Sequence, residues 1–267
     1  MITHQIKGSA SQMIVCQLDE GQTVYCEAGK FLWKTVNVGI ETRFTTRETE
    51  EASKSKGLLG KALGAATEVG KRALAGESLA FQYFTPVGGS GLVAFAGTLP
   101  GEMRAIELDA EKGWTAEKDA FVAAEGSVRF DIKWAGWTAG RRGGEGFILE
   151  RFTGSGTLFI AGAGNFIDLN PSKYGGKIQV DTGCVVAFED GITYGVERIG
   201  KFDAAGLKTA FFGGEGMSLA TLEGDGQVIL QSVNMVALAR SLQHAAGQAS
   251  TEGTAGSLRG LLGGSTD

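Results

Sequence analysis

A chain of 267 residues is long enough for one large β-domain or two small ones. Its 43 glycines beside three prolines, with 43% apolar residues, indicate many tight turns in a globular body and exclude collagen-like and disordered chains. A net charge of −5 gives no long-range attraction to nucleic acid, three cysteines make no disulfide framework, and no apolar run is long enough to span a bilayer. The first residues, Met1-Ile2-Thr3-His4-Gln5-Ile6-Lys7, lack an apolar signal core and Arg/Ser-rich transit character, so a cytoplasmic protein is expected. Met13 to Leu18 and Thr23 to Cys26 are short, apolar and β-branched about the turn Asp19-Glu20-Gly21-Gln22, which predicts a hairpin. That hairpin would bring Cys16 close to Cys26. Buried free thiols are the expected state there, with a disulfide as the alternative.

The next segment, residues 48–75, breaks the β pattern and predicts an amphipathic helix. Leu58, Leu59, Leu63, Val69 and Leu74 fall on one face, and Lys61, Lys71 and Arg72 on the other. Gly60, Gly64 and Gly70 each cost it roughly 1 kcal/mol, so it should be helical only when docked on something. Further on, Phe121 to Gly126 runs into a half-buried strand in which Val128, Phe130 and Ile132 alternate with Arg129, Asp131 and Lys133. Val180-Asp181-Thr182-Gly183 leads into Cys184 to Phe188, and Glu189-Asp190-Gly191 predicts another hairpin turn. Residues 234–246 read as a closing helix with Met235, Leu238, Ala239 and Leu242 on one side. Residues 247–267 read as a disordered Gly/Ser tail.

These elements repeat. Gly143-Gly144-Glu145-Gly146 recurs as Gly213-Gly214-Glu215-Gly216, and the match holds register through Gly154-x-Gly156 and Gly224-x-Gly226. A weaker copy runs from Gly76-Glu77-Ser78 to Ser90-Gly91-Leu92-Val93. Residues 1–246 are therefore expected to form one triplicated all-β domain.

Taken together, Leu18-Asp19-Glu20-Gly21-Gln22, Glu27-Ala28-Gly29, Lys71-Arg72-Ala73-Leu74-Ala75-Gly76-Glu77-Ser78, the two Gly-Gly-Glu-Gly modules, Val180-Asp181-Thr182-Gly183 and Gln231-Ser232 resemble the altered inheritance of mitochondria protein 24 family. The resemblance covers roughly residues 1–243. It implies three related β-units about a pseudo-threefold axis, like the tryptophan RNA-binding attenuation protein fold, and no established enzymatic activity. Mitochondrial members are associated with inner-membrane organisation, whereas this chain looks like a bacterial cytoplasmic member.

Candidate sites follow from the repeat. Glu77, Glu145 and Glu215 hold equivalent positions, and three converging carboxylates could hold a cation; solvated turn residues are the alternative. His4 and His244 are the only histidines and have no partner at metal-ligand spacing, so no metal or other cofactor is expected. Gly88-Gly89-Ser90-Gly91 and Gly154-Ser155-Gly156 stop short of a nucleophile elbow. Gly195 to Phe202 puts Phe where a phosphate loop needs Ser or Thr, so no reaction is encoded. Trp33, Trp114, Trp134 and Trp137 suit core packing or subunit contact, with a ligand-stacking platform as the alternative. From Lys54 to Arg72 five basic residues face one acid, Glu68, which suits an anionic membrane surface or a protein partner. The expectation is a non-catalytic β-scaffold or interaction protein, homo-oligomeric because open β-repeats leave edges to be paired, and peripheral to the inner face of the membrane through residues 48–75. The alternative is a small-ligand or metal-binding module with a pocket between repeats.

Overall fold

Among the described residues, short runs of Val, Ile, Phe and Tyr broken every four to seven residues by glycine or a polar turn give strands and little else. The computed structural model describes residues 1–43, 81–134, 148–198, 218–234, 237–239 and 241–242. Along the chain the strands are β1 (Thr3–Lys7), β2 (Met13–Leu18), β3 (Val24–Glu27), β4 (Phe31–Lys34), β5 (Val38–Arg43), β6 (Phe81–Pro86) and β7 (Gly91–Ala96). There follow β8 (Met103–Leu108), β9 (Trp114–Glu117), β10 (Phe121–Glu125), β11 (Arg129–Trp134), β12 (Ile148–Thr153) and β13 (Gly156–Ala161). The last are β14 (Phe166–Leu169), β15 (Lys177–Asp181), β16 (Val185–Glu189), β17 (Ile192–Arg198), β18 (Ser218–Gly224) and β19 (Val228–Gln231).

The strands make four antiparallel sheets in the orders β1-β2-β7-β4, β5-β6-β3-β10-β13-β8, β11-β12-β9-β16-β19-β14 and β15-β18-β17. The fold is all-β, as expected. The sheets stack in that sequence, and three apolar clusters fill the gaps. Ile14, Leu18, Phe84 and Phe159 lie between the first and second sheets, and Tyr25, Phe121, Phe152 and Leu158 between the second and third. Leu149, Phe188, Leu222 and Val228 lie between the third and fourth.

One pairing rule recurs. β5-β6-β3, β11-β12-β9 and β17-β18-β15 are the same three-strand set, as are β2-β7-β4, β8-β13-β10 and β14-β19-β16. The two kinds join through β3·β10 and again through β9·β16. β4, β10 and β16 each break register after their first residue, so Leu32, Val122 and Val186 occupy equivalent bulges against β7, β13 and β19. Gly154 and Gly224 close equivalent tight turns at φ +101° and +129°, with a backbone carbonyl (Ser127 and Gly191) where a Cβ would sit.

Two hairpin expectations are overturned. β2 and β3 belong to different sheets, and so do β16 and β17, so Asp19–Gln22 and Glu189–Gly191 carry the chain across a core rather than folding it back in one sheet. Both turns are short because the layers lie face to face. Cys16 and Cys26 are accordingly buried free thiols on separate sheets. The expected alternation in β11 holds where it is described: Phe130 is half-buried, and Arg129, Asp131 and Lys133 are exposed.

At the C-terminal end, residues 237–239 and 241–242 are helical. Asn234 starts this turn. Its Oδ1 accepts the Ala237 N–H at 2.9 Å and its carbonyl accepts the Leu238 N–H at 2.9 Å. Of its expected apolar face, Leu238 is half-buried and Leu242 is exposed.

Candidate functional site

Glu77, Glu145 and Glu215 lie outside the described residues. The connections that carry them join β5 to β6, β11 to β12 and β17 to β18, and in each case the two strands pair directly. Leu58, Leu59, Lys61, Leu63, Val69, Lys71, Arg72 and Leu74 also lie outside the described residues, as do Trp137 and His244. Trp114 is buried in the central core, and Trp33 stands half in solvent on β4. His4 packs edge-on against Phe159, with ring centres 5.2 Å apart. Among the described residues no group of three His, Cys, Asp or Glu side chains could hold a metal, and no helix is long and apolar enough to cross a membrane.

Several carboxylates beside the cores hold strands. Glu125 Oε1 accepts the Ile2 N–H at 2.8 Å, the Thr157 N–H at 3.1 Å and the Thr157 hydroxyl at 2.7 Å. Glu189 stands at the equivalent place one sheet on, where its Oε2 accepts the Gln227 N–H at 2.8 Å. Asp190 receives the Arg151 guanidinium on both oxygens and the Gly113 N–H at 3.0 Å, and the Arg151 hydrogen bond holds its carboxyl below the ordinary range. Glu117, which accepts the Asp119 N–H at 2.8 Å, is pushed up to about 8, first by burial and then by Asp119. Burial likewise pushes the Cys26 thiol up to about 12 and raises Cys16, which leaves both poor nucleophiles at neutral pH. An open cleft of about 400 Å³ beside the β1–β2 turn is lined by Lys7, Gln12, Met13, Leu32, Thr98 and Pro100 among others, and Lys7 is its only charged side chain. That arrangement holds no acid–base pair.

The feature with a distinctive geometry is the pair of strands that end the recurring pattern. Among the described residues β4 and β15 are sheet edges, whereas their counterparts β10 and β16, and β3 and β9, are central. On β4, Leu32 is 48% and Trp33 40% exposed, while Val122 and Ala123 at the same places on β10 are both 0% exposed. On β15, Ile178 and Val180 are half-buried against the outermost core, whereas Val24, Cys26 and Ala116 at those places are fully buried. A residue-by-residue reading of the sequence passed over these edges, because a strand's neighbours are not written in its own residues. The large apolar run Phe31-Leu32-Trp33 between two lysines was the one signal that could have marked them.

The family model described as mitochondrial biogenesis AIM24 matches residues 4–233. An uncharacterised protein of Streptococcus pyogenes serotype M6 is 28% identical over 232 residues, which cover 86% of this chain and 85% of that protein. The X-ray crystal structure of a Streptococcus pyogenes protein shares the fold with a TM-score of 0.68 at 24% identity, over 92% of this chain and all of the other. With a match over most of its length, and with the glycine-punctuated strands that the motifs called for, the chain belongs to the mitochondrial biogenesis AIM24 family.

Proposed function

We propose that this protein is a non-catalytic β-scaffold or interaction protein that works as a homo-oligomer. In this reading residues 1–246 form one domain of three tandem six-strand repeats, related as in the tryptophan RNA-binding attenuation protein-like fold. The observation that carries the reading is the recurring junction, β3·β10 and then β9·β16, which among the described residues leaves one half of a further junction unpaired on β4 and on β15. A closed pseudo-threefold ring of one chain would pair β15 with β4, and these strands do not pair. On this reading the repeats leave strand edges that a second molecule can cover. Sedimentation velocity at micromolar concentration tests this. A discrete species several times the 27.8 kDa chain mass is expected, and monomer alone overturns the reading.

Attachment to the inner face of the membrane from the cytoplasm is the second part of the proposal. Its support is the charge of the segment from Lys54 to Arg72, five basic residues against Glu68, interleaved with Leu58, Leu59, Leu63 and Val69. Co-sedimentation with anionic vesicles should be salt-sensitive and should vanish when residues 48–75 are deleted; equal binding by the deletion overturns it. The other reading is a small-ligand or metal-binding module using Glu77, Glu145 and Glu215; the open cleft, which those residues do not line, lends it no support. It would be supported by a saturable rise in melting temperature with a single compound or divalent cation.

A further inference from the structure

The two internal junctions share one register, and that register can be carried to the chain's ends. At β10·β3, Ala123 faces Cys26, Ala124 faces Tyr25 and Glu125 faces Val24. At β16·β9, Ala187 faces Ala116, Phe188 faces Thr115 and Glu189 faces Trp114. The common bulge aligns Trp33 with Ala123 and Ala187, and Lys34 with Ala124 and Phe188. The cap that follows each of the other strands aligns Asp181 with Glu117. Each side chain accepts the N–H two residues on, from Gly183 and Asp119. Counting back from Asp181 places Val180 opposite Trp33.

We propose that copies of this chain join head to tail by strand addition. β15 of one copy pairs antiparallel with β4 of a second, so that Val180 faces Trp33, Gln179 faces Lys34 and Ile178 faces Thr35. The inference rests on the self-assembly reading and deepens it by naming the surface and the register. The product is one seven-stranded sheet, β17-β18-β15 continued by β4-β7-β2-β1 of the second copy, in place of the open three- and four-stranded sheets. Leu32 and Trp33 then lie on the face that in β10 and β16 packs into the preceding core, where Val122, Val186, Ala123 and Ala187 are at most 1% exposed. Their exposure in the single chain is thereby explained. The occupant is a second copy rather than another protein, because the same chain already makes this junction twice with itself. A head-to-tail junction uses different surfaces on its two sides, so it propagates to a ring where the rotation closes and to a filament where it does not.

The test uses two full-length variants, Trp33→Glu and Val180→Glu. Each puts a carboxylate at a position buried in the internal junctions; Trp33 is 40% exposed in the single chain and Val180 is half-buried at the outermost core, so each should fail to assemble alone, with circular dichroism reporting the fold. Sedimentation velocity should show both as monomers, and an equal mixture should give a dimer and nothing larger, since only one intact junction can form between them. A dimer in the mixture is itself proof that both variants are folded. If either loses its fold by circular dichroism, exposed Gln179 gives a second route. Gln179→Lys, opposite Lys34, should weaken assembly roughly two- to fivefold, and adding Lys34→Gln should restore it. An oligomeric wild type whose assembly survives all of these changes, or folded variants that stay monomeric when mixed, overturns the register and leaves self-assembly standing. A monomeric wild type removes both.

Discussion

Replacing Gly101 by Ala tests the close approach between successive turns. A Cβ built there would lie 1.9 Å from the Gly162 carbonyl oxygen and 2.7 Å from the Gly164 nitrogen, both backbone atoms that no side-chain rotation can move. Gly101 bridges to Gly164, and three hydrogen bonds close the seam: Glu102 N–H to Gly164 O at 3.0 Å, Gly162 N–H to Glu102 O at 3.0 Å, and Gly164 N–H to Pro100 O at 3.1 Å. To admit the methyl group the two turns must part by roughly 1 Å, which takes all three bonds beyond useful length. At roughly 0.5–1.5 kcal/mol each, the loss comes to about 1.5–4.5 kcal/mol. The matched control is Gly39→Ala, whose Cβ would meet only the Thr85 carbonyl at 3.5 Å, and which should change stability by less than about 0.5 kcal/mol. Urea unfolding followed by tryptophan fluorescence measures both. A Gly101→Ala protein that unfolds at the wild-type midpoint would refute the reasoning.

Phe152→Ala should cost about 3–5 kcal/mol in the same assay, because the ring is fully buried and stacks on Phe121 at 5.0 Å. Glu117→Gln should raise the melting temperature near pH 8 and leave it unchanged near pH 4.5. Burial raises the Glu117 carboxyl in the folded state to about 8, so its stabilising protonated form is fully present only below the ordinary value of 4.5 and is lost as pH rises to about 8. Asp190→Asn should act with the opposite sign. Arg151 lowers the Asp190 carboxyl, so that stabilisation is present above its ordinary value of 3.8 and lost as pH falls below it; thermal melts should show a cost of about 1 kcal/mol at neutral pH that shrinks below about pH 4.

The strands themselves were legible. Val24 to Cys26, Phe121 to Ala124 and Val185 to Phe188 lie where apolar β-branched and aromatic runs end at small-residue turns, and Gly154 and Gly224 stand where only a tight turn needs them. Which strand pairs with which was not. Asp19–Gln22 and Glu189–Gly191 carry the local chemistry of hairpin turns, but that chemistry reverses a chain equally well between two sheets as within one. The deciding contacts are distant in sequence, as when Glu125 holds Ile2 and Thr157. Besides the short β1·β2 hairpin, the hairpins among the described strands, β5·β6, β11·β12 and β17·β18, are joined by longer connections that a local turn signal does not reach. For the same reason the open edges could not be read from β4 or β15. Exposure at Leu32 and Trp33 becomes informative only beside the buried Val122 and Ala123.

The most direct measurement of the central claim is amide hydrogen exchange in the wild-type protein, followed at residues 31–34 and 177–181 across a dilution series. Head-to-tail pairing predicts that the amides of both strands facing away from β7 and β18 are protected as strongly as residues 121–125 and 114–117 at high concentration and lose that protection together on dilution. Outward-facing amides of β4 and β15 that exchange freely in the assembled protein would contradict it.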